Sequence, residues 1–181
     1  MHDDFRTENL LGATALALSD LVLAEATRAV GTSSSGAAAL VVLSTDPGLS
    51  TTELGRRVGL SQSAAARMVG GLEKQGLVHK EASWGGWVRL QLSDLGVQAA
   101  QTLLAYRGEV LRQALSHLDD GERKQLGELL SKFLTGLYRQ PGDAERICRL
   151  CDRSGCVGDG GICPVGQADR SHRMGHERDH G

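Results

Sequence analysis

The residues best suited to chemistry in this sequence are cysteines near its end. The chain has four of them: Cys148, Cys151, Cys156 and Cys163. Their spacing is C-x2-C-x4-C-x6-C, and a C-x2-C pair brings two sulfur atoms to one metal ion through a tight turn. Four thiolates satisfy tetrahedral zinc. They also suit an iron–sulfur cluster, and Pro164 follows the last cysteine as in bacterial ferredoxins. Segment 141–166 is therefore predicted to bind metal, with zinc favoured and an iron–sulfur cluster as the alternative.

Two uses of these thiols need no metal. Cys148 and Cys151 are close enough in sequence to act as a thiol switch if one of them ionises readily. All four could instead be without function, but such cysteines are usually buried in apolar surroundings, and these lie in a polar, glycine-rich segment. The few apolar residues of this segment cannot form a core, so metal ligation would supply most of its folding energy.

The composition is that of a soluble globular protein with one domain and a small appendage. The 181 residues are 40% hydrophobic and 23% charged, with a net charge of -2, so any nucleic-acid surface must be local. The N-terminus lacks the features of a signal peptide. The longest apolar stretch is interrupted by Asp20, Glu25 and Arg28, which argues against a membrane span. We therefore expect a cytoplasmic protein with reduced thiols.

The pattern of apolar residues predicts a mainly α protein with one small β-hairpin. Helices are expected at 8–30, 37–45, 93–117 and 119–139, and Asp119 with Glu122 forms a start signal for the last of these. Residues 1–140 are predicted to form one domain, followed by the cysteine segment 141–166. The polar tail, 167–181, is expected to be disordered.

A helix-turn-helix is predicted at 50–76. Ser50 and Glu53 match a capping box, and Gly59 suits the left-handed position that ends a helix. Ser61 can cap the second helix, whose inner face carries apolar residues at three- and four-residue steps. Two short helices joined by a tight turn containing glycine define this motif.

The second helix has an outer face made of small, polar and basic residues: Gln62, Ser63, Ala66, Arg67, Gly70 and Lys74. Such a face can enter the major groove of DNA. Between Ser50 and Glu81 there are five Lys or Arg against three Glu, which gives +2 in a chain that totals -2. The simpler interpretation is a helical pair within a core, and the pattern of these two helices alone does not separate it from DNA binding. The following segment, 77–92, alternates apolar and polar residues around a glycine turn, which predicts a β-hairpin and hence a winged helix.

The stretches "TTELGRRVGLSQSAAARMVGGLEKQGLV" and "LQLSDLG" resemble the MarR-type winged-helix regulators. The resemblance runs from about residue 8 to 140. It implies a homodimer formed by the first and last helices, a palindromic operator, and a repressor that responds to small ligands or oxidation. Carried over by position, Ser61, Gln62, Ser63 and Arg67 would read DNA.

The wing departs from the family pattern. Family members usually carry an Asp and an Arg near the hairpin tip, where this sequence reads "SWGGW". Phosphate contacts by Arg89 or Lys80 are therefore expected instead, and Lys74 on the outer face of the second helix completes the predicted DNA-binding residues.

These observations predict a transcriptional regulator that binds double-stranded DNA as a homodimer. We expect it to respond to a small-molecule effector, or to metal or redox state through the four cysteines. No motif of a nucleotide-binding or hydrolytic enzyme is present, so the protein is not expected to be an enzyme. The alternative is an iron–sulfur or thiol redox protein that uses the winged helix for protein contacts.

Overall fold

The computed structural model describes residues 2–82 and 88–179, and it is mainly helical. The elements in chain order are α1 (His2–Val30), α2 (Ser34–Thr45), α3 (Thr51–Val58), α4 (Gln62–Lys74), β1 (Val78–Ala82), β2 (Val88–Leu92), α5 (Asp94–Leu115), α6 (Asp120–Leu137), α7 (Asp143–Ile147), α8 (Arg153–Val157), a 3-10 turn (Gly158–Gly160) and α9 (Pro164–Asp179). The predicted class, a mainly α protein with one hairpin, is confirmed.

Side-chain caps define where the central helices begin. The residue before each of α2 to α6 accepts a hydrogen bond from a backbone N–H of the first turn: Ser33, Ser50, Ser61, Ser93 and Asp119. At Asp119 the predicted start signal is a complete capping box with Glu122. At Ser50 only half of the expected box forms, because the Glu53 carboxylate binds Arg56 and Arg57 instead.

The hairpin packs one of its strands into the core. β1 and β2 are antiparallel, with Lys80 opposite Leu90. Backbone hydrogen bonds from Gly48 N to Leu90 O (2.9 Å) and from Leu90 N to Leu49 O (3.0 Å) join β2 to the loop after α2. Leu90 is fully buried, whereas Val88 is 47% exposed. The expected buried face is therefore present near the base of the wing but does not reach Val88.

The core is centred on α2, which is enclosed by α3, α4, α5 and β2. Its buried residues are Ala37, Ala38, Ala39, Leu40, Val41, Val42, Leu43, Leu54, Val58, Val69, Leu72, Leu77, Val78, Leu90, Ala99, Ala100 and Leu103. Most are aliphatic, and burial of this surface is the main source of stability. The helix-turn-helix thus lies on a rigid base.

Two long helices remain largely uncovered. α1 packs along α5, and α6 has no buried residue. Their exposed large apolar side chains are Phe5, Leu10, Leu11, Leu16, Leu21, Leu129, Leu130, Phe133 and Leu137. By length and composition α1 could cross a membrane between Phe5 and Val30. One such helix near the N-terminus is weak evidence for a membrane span, because helices of soluble proteins pass the same test.

The C-terminal segment is helical where a disordered tail was expected. α9 covers Pro164–Asp179, and it packs against α6 and α7. Val165 is 1% exposed, and the Tyr138 hydroxyl donates a hydrogen bond to Asp169 Oδ1 at 2.8 Å. The rings of Tyr138 and His172 are also in edge-to-face contact. These tertiary contacts override the polar composition on which the expectation of disorder rested.

Candidate nucleic-acid interface and cysteine cluster

The outer face of α4 is exposed as the sequence predicted. Ser61, Gln62, Ser63 and Arg67 are exposed, while Ala65, Val69 and Leu72 on the opposite face are buried. Ser61 begins the helix by accepting a hydrogen bond from Ala64 N, and Gly59 has the expected left-handed backbone with φ of 77°. The turn between α3 and α4 therefore fixes the angle at which the outer face of α4 is presented.

Arg67 and Lys74 are exposed cations on α4. Within residues 2–82 and 88–179 neither of them makes an ion pair, so both are available to an anionic partner. Lys80 differs, because its Nζ lies 2.7 Å from Glu73 Oε2. Arg89 is exposed on β2, with its side chain passing over Gly48. The wing tip at 83–87 lies outside the described residues.

The arginines of α3 are engaged within the protein. Glu53 receives hydrogen bonds from Arg56 (2.8 Å) and Arg57 (3.0 Å), and these bonds lower the pKa of Glu53 to about 2. Arg57 also binds Asp46 Oδ2 at 2.6 Å. The positive charge counted along 50–81 is thus partly neutralised, and the uncompensated part lies on α4.

The four predicted metal ligands line one cleft. Its volume is about 610 Å³, and all four cysteines line it. Residues of α2, the loop after it and α3 also line it: Val41, Val42, Thr45, Asp46 and Arg57. The cysteine cluster, meaning these four thiols, therefore faces the DNA-binding half of the molecule.

The thiols lie close enough to affect one another's ionisation. Cys148 interacts in this way with Cys151 and Cys163, and Cys156 interacts with Cys163. The interaction with Cys148 lowers the pKa of Cys151, and the positive charge of Arg107 in α5 lowers it further. The pKa of Cys148 is raised. The pair of Cys148 and Cys151 therefore loses its first proton more easily than its second.

The cluster is not yet a coordination site. Among the described residues, no three His, Cys, Asp or Glu side chains stand in an arrangement that could hold a metal ion. Cys148, Cys151 and Cys163 are half-buried and Cys156 is exposed, and none forms a disulfide. The structure brings the four cysteines predicted to bind metal to one cleft.

Contacts that the sequence did not predict attach this segment to the helix-turn-helix. α7 packs on α3, and Arg56 Nη2 lies 3.2 Å from Glu145 Oε1. The other carboxylate oxygen, Glu145 Oε2, is buried without a hydrogen-bond partner among the described residues. The ion pair with Arg56 is therefore the main polar contact of the Glu145 side chain. Arg153 Nη1 approaches Asp46 Oδ2 at 3.9 Å. No local pattern signals such pairs, because the partners are far apart in sequence.

The helix-turn-helix, the hairpin paired beside it and the long flanking helices define the class of winged-helix proteins. The sequence model of the MarR family matches residues 30–84, which contain α2 to α4 and the first strand of the wing. A comparison with curated protein sequences gave no match.

Solved structures of this class superpose on most of the chain. A MarR family protein from Bacillus stearothermophilus has a TM-score of 0.65 and 23% identity over 73% of this chain and 93% of its own. MepR, a transcription regulator of the Staphylococcus aureus multidrug efflux pump MepA, has a TM-score of 0.63 and 15% identity over 72% and 97%.

A third similar structure is a MarR family protein from Mycobacterium tuberculosis in complex with salicylic acid. Its TM-score is 0.55, with 26% identity over 68% of this chain and 93% of its own. The chain therefore has the fold of the MarR-family transcription regulators, and the family model together with these structures supports the resemblance that the sequence indicated.

Proposed function

We propose that this protein is a transcriptional repressor that binds a palindromic operator in double-stranded DNA as a homodimer. The observation that carries the proposal is the outer face of α4. It is small, polar and basic, and it presents Arg67 and Lys74 outside any ion pair in the described part of the chain. A helix with this surface fits the major groove, where arginine reads guanine.

The uncovered apolar side chains of α1 and α6 support the homodimer. A monomer would leave Phe5, Leu16, Phe133 and Leu137 in water, each at least half exposed. A second copy of the chain covers such a surface with the same surface. Pairing would also place the two copies of α4, the proposed recognition helices, about one turn of DNA apart, roughly 34 Å. The apolar character of α1 is thus accounted for without a membrane, and we propose a cytoplasmic protein.

A small-molecule effector is part of this proposal. The similar protein from Mycobacterium tuberculosis binds salicylic acid. In this chain a second cleft of about 380 Å³ lies where the end of α1, the end of α4 and the start of α5 meet. A ligand there would contact both the long helices and the DNA-binding half, so it could bias their relative position.

The test is selection of an operator from random DNA duplexes, followed by affinity measurements with variants. Arg67→Ala should weaken specific binding by about 1–3 kcal/mol if Arg67 reads a base pair. Arg112→Ala is the control, because it removes an exposed guanidinium from α5, outside the helix-turn-helix, where Arg112 pairs with Glu109. Light scattering of the same samples gives the oligomeric state.

Equal affinities for Arg67→Ala and the unaltered protein would show that α4 is not the recognition helix. Failure to enrich any duplex would instead favour the alternative, a redox protein whose winged helix contacts other proteins. A monomer at micromolar concentration would refute the proposed dimer.

A further inference from the structure

We propose that Cys148, Cys151, Cys156 and Cys163 bind one thiophilic metal centre, and that this centre fastens the segment from α7 to the start of α9 against α2 and α3. The site goes beyond the proposed function. Its metal content is measured without DNA, so its failure and the failure of DNA binding are separate results.

Convergence of the four thiols is the first argument. They come from the end of α7, the loop after it, α8 and the residue before α9, yet all four line one cleft. Each thiol also affects the ionisation of at least one other, Cys148 with Cys151 and Cys163, and Cys156 with Cys163, which requires that they lie near one another. Thiolate sulfur is the preferred ligand of zinc and of iron–sulfur clusters.

The backbone around Cys163 already supports a thiolate. Gly166 N donates a hydrogen bond to Cys163 Sγ at 3.4 Å in the first turn of α9. Backbone N–H groups directed at sulfur stabilise the ligating thiolate and tune metal–thiolate centres. The glycines from Gly158 to Gly161, with Gly160 at φ of 81°, let the loop close around a small centre.

A metal centre explains the set of four better than a disulfide does. A bond between Cys148 and Cys151 would link residues only three apart and leave Cys156 and Cys163 unused. Closing so short a loop removes little freedom from the unfolded chain. A tetrahedral ion would instead join the end of α7, α8 and the start of α9. The thiols are not yet in coordination geometry, so binding must draw them together, and folding of the segment is then coupled to metal.

The segment has few other means of staying in place. Among the residues of the segment whose burial is described, only Val165 is buried, and Leu150 packs at the edge of the core. The ion pair between Arg56 and Glu145 and the approach of Arg153 to Asp46 are the polar links to α3 and the loop before it. Because α3 packs on α4, a change in this segment reaches the recognition helix through two contacts.

The experiment uses the full chain purified without oxygen, with elemental analysis, acid-labile sulfide and a visible spectrum. We expect about one zinc ion per chain, or iron with matching sulfide and visible absorption. Both results support the four-thiolate centre and identify its metal. The quadruple Cys→Ser variant should retain less than about a tenth of the metal. Ser154→Ala is the matched control, because it alters the same segment without removing a thiol.

Two further measurements keep the test independent of whether the variant folds. Protein stripped with a chelator should recover one equivalent on titration with Zn²⁺, and Co²⁺ should give thiolate charge-transfer bands. Amide hydrogen exchange should show that metal removal exposes α7 and α9 while α5 stays protected. The proposal is overturned if the unaltered protein holds no stoichiometric metal and takes up none, or if metal removal leaves the exchange of α7 and α9 unchanged.

Discussion

A methyl group added at Gly55 would test the packing of the two helices of the helix-turn-helix. Gly55 lies in the middle of α3 at its crossing with α4, and it is buried. A Cβ built on Gly55 would stand 2.5 Å from the Cβ of Ala65. Carbon atoms in contact lie about 3.5–4.0 Å apart, so α3 and α4 would have to separate by about 1–1.5 Å.

The cost follows from two opposing effects. Alanine is a better helix former than glycine by about 1 kcal/mol, which favours the variant. Overpacking a close contact costs about 1–3 kcal/mol, and neither Cβ can rotate away. We therefore expect Gly55→Ala to lower the free energy of unfolding by up to about 2 kcal/mol. For a chain of this size this corresponds to a fall in Tm of up to about 8 °C.

The assay is thermal unfolding followed by circular dichroism at one protein concentration, because dimer stability depends on concentration. Gly108→Ala is the control within α5. Its nearest atom would be the far end of Arg112, at 3.9 Å, so the same substitution should stabilise by about 0.5–1 kcal/mol. Operator affinity should fall for Gly55→Ala, since α4 shifts, and stay unchanged for Gly108→Ala. An increase in Tm for both variants would refute the close crossing of α3 and α4.

The remaining predictions concern a carboxylate, a core residue and the last helix. The folded-state pKa of Glu53, about 2, lies below its usual 4.5, so its pairs with Arg56 and Arg57 add stability above pH 4.5 that is lost as the pH falls towards 2. An NMR titration that gives an ordinary pKa for Glu53 would contradict these pairs. Leu40→Ala should destabilise by about 2–5 kcal/mol in denaturant unfolding, because Leu40 is fully buried at the centre of the core. Tyr138→Phe removes the hydroxyl that binds Asp169, so α9 should exchange its amide hydrogens faster; unchanged exchange would show that this bond does not hold the helix.

The helix-turn-helix could be predicted because its signals are local. Ser61 caps α4 and Gly59 ends α3, and each acts within one turn of its own position. The outer face of α4 follows from the same periodicity that buries Ala65, Val69 and Leu72. Glu53 shows the limit of such reasoning. Its spacing from Ser50 matches a capping box, but two neighbouring arginines compete for the carboxylate.

The placement of the cysteine segment could not be predicted, because it depends on contacts between distant parts of the chain. Spacing alone indicated four ligands and one metal. The cleft against α2 and the pair of Arg56 with Glu145 join residues that no periodic pattern relates. The polar sequence of α9 suggested disorder, yet Val165 and Tyr138 give it a packed side.

This placement changes what the cysteine segment can do in a winged-helix regulator. On the sequence alone, the segment was an appendage that follows the dimerisation helices. In the structure α9 packs on α6 and α7 packs on α3, so the segment touches both the uncovered helix and the DNA-binding half. In the proposed homodimer, the position of α6 relative to the helix-turn-helix would set the spacing of the two copies of α4. An element attached to both parts can change operator affinity without touching DNA, provided that its own structure has two states. In our proposal, the metal-free and metal-bound forms of the four thiols would be those two states.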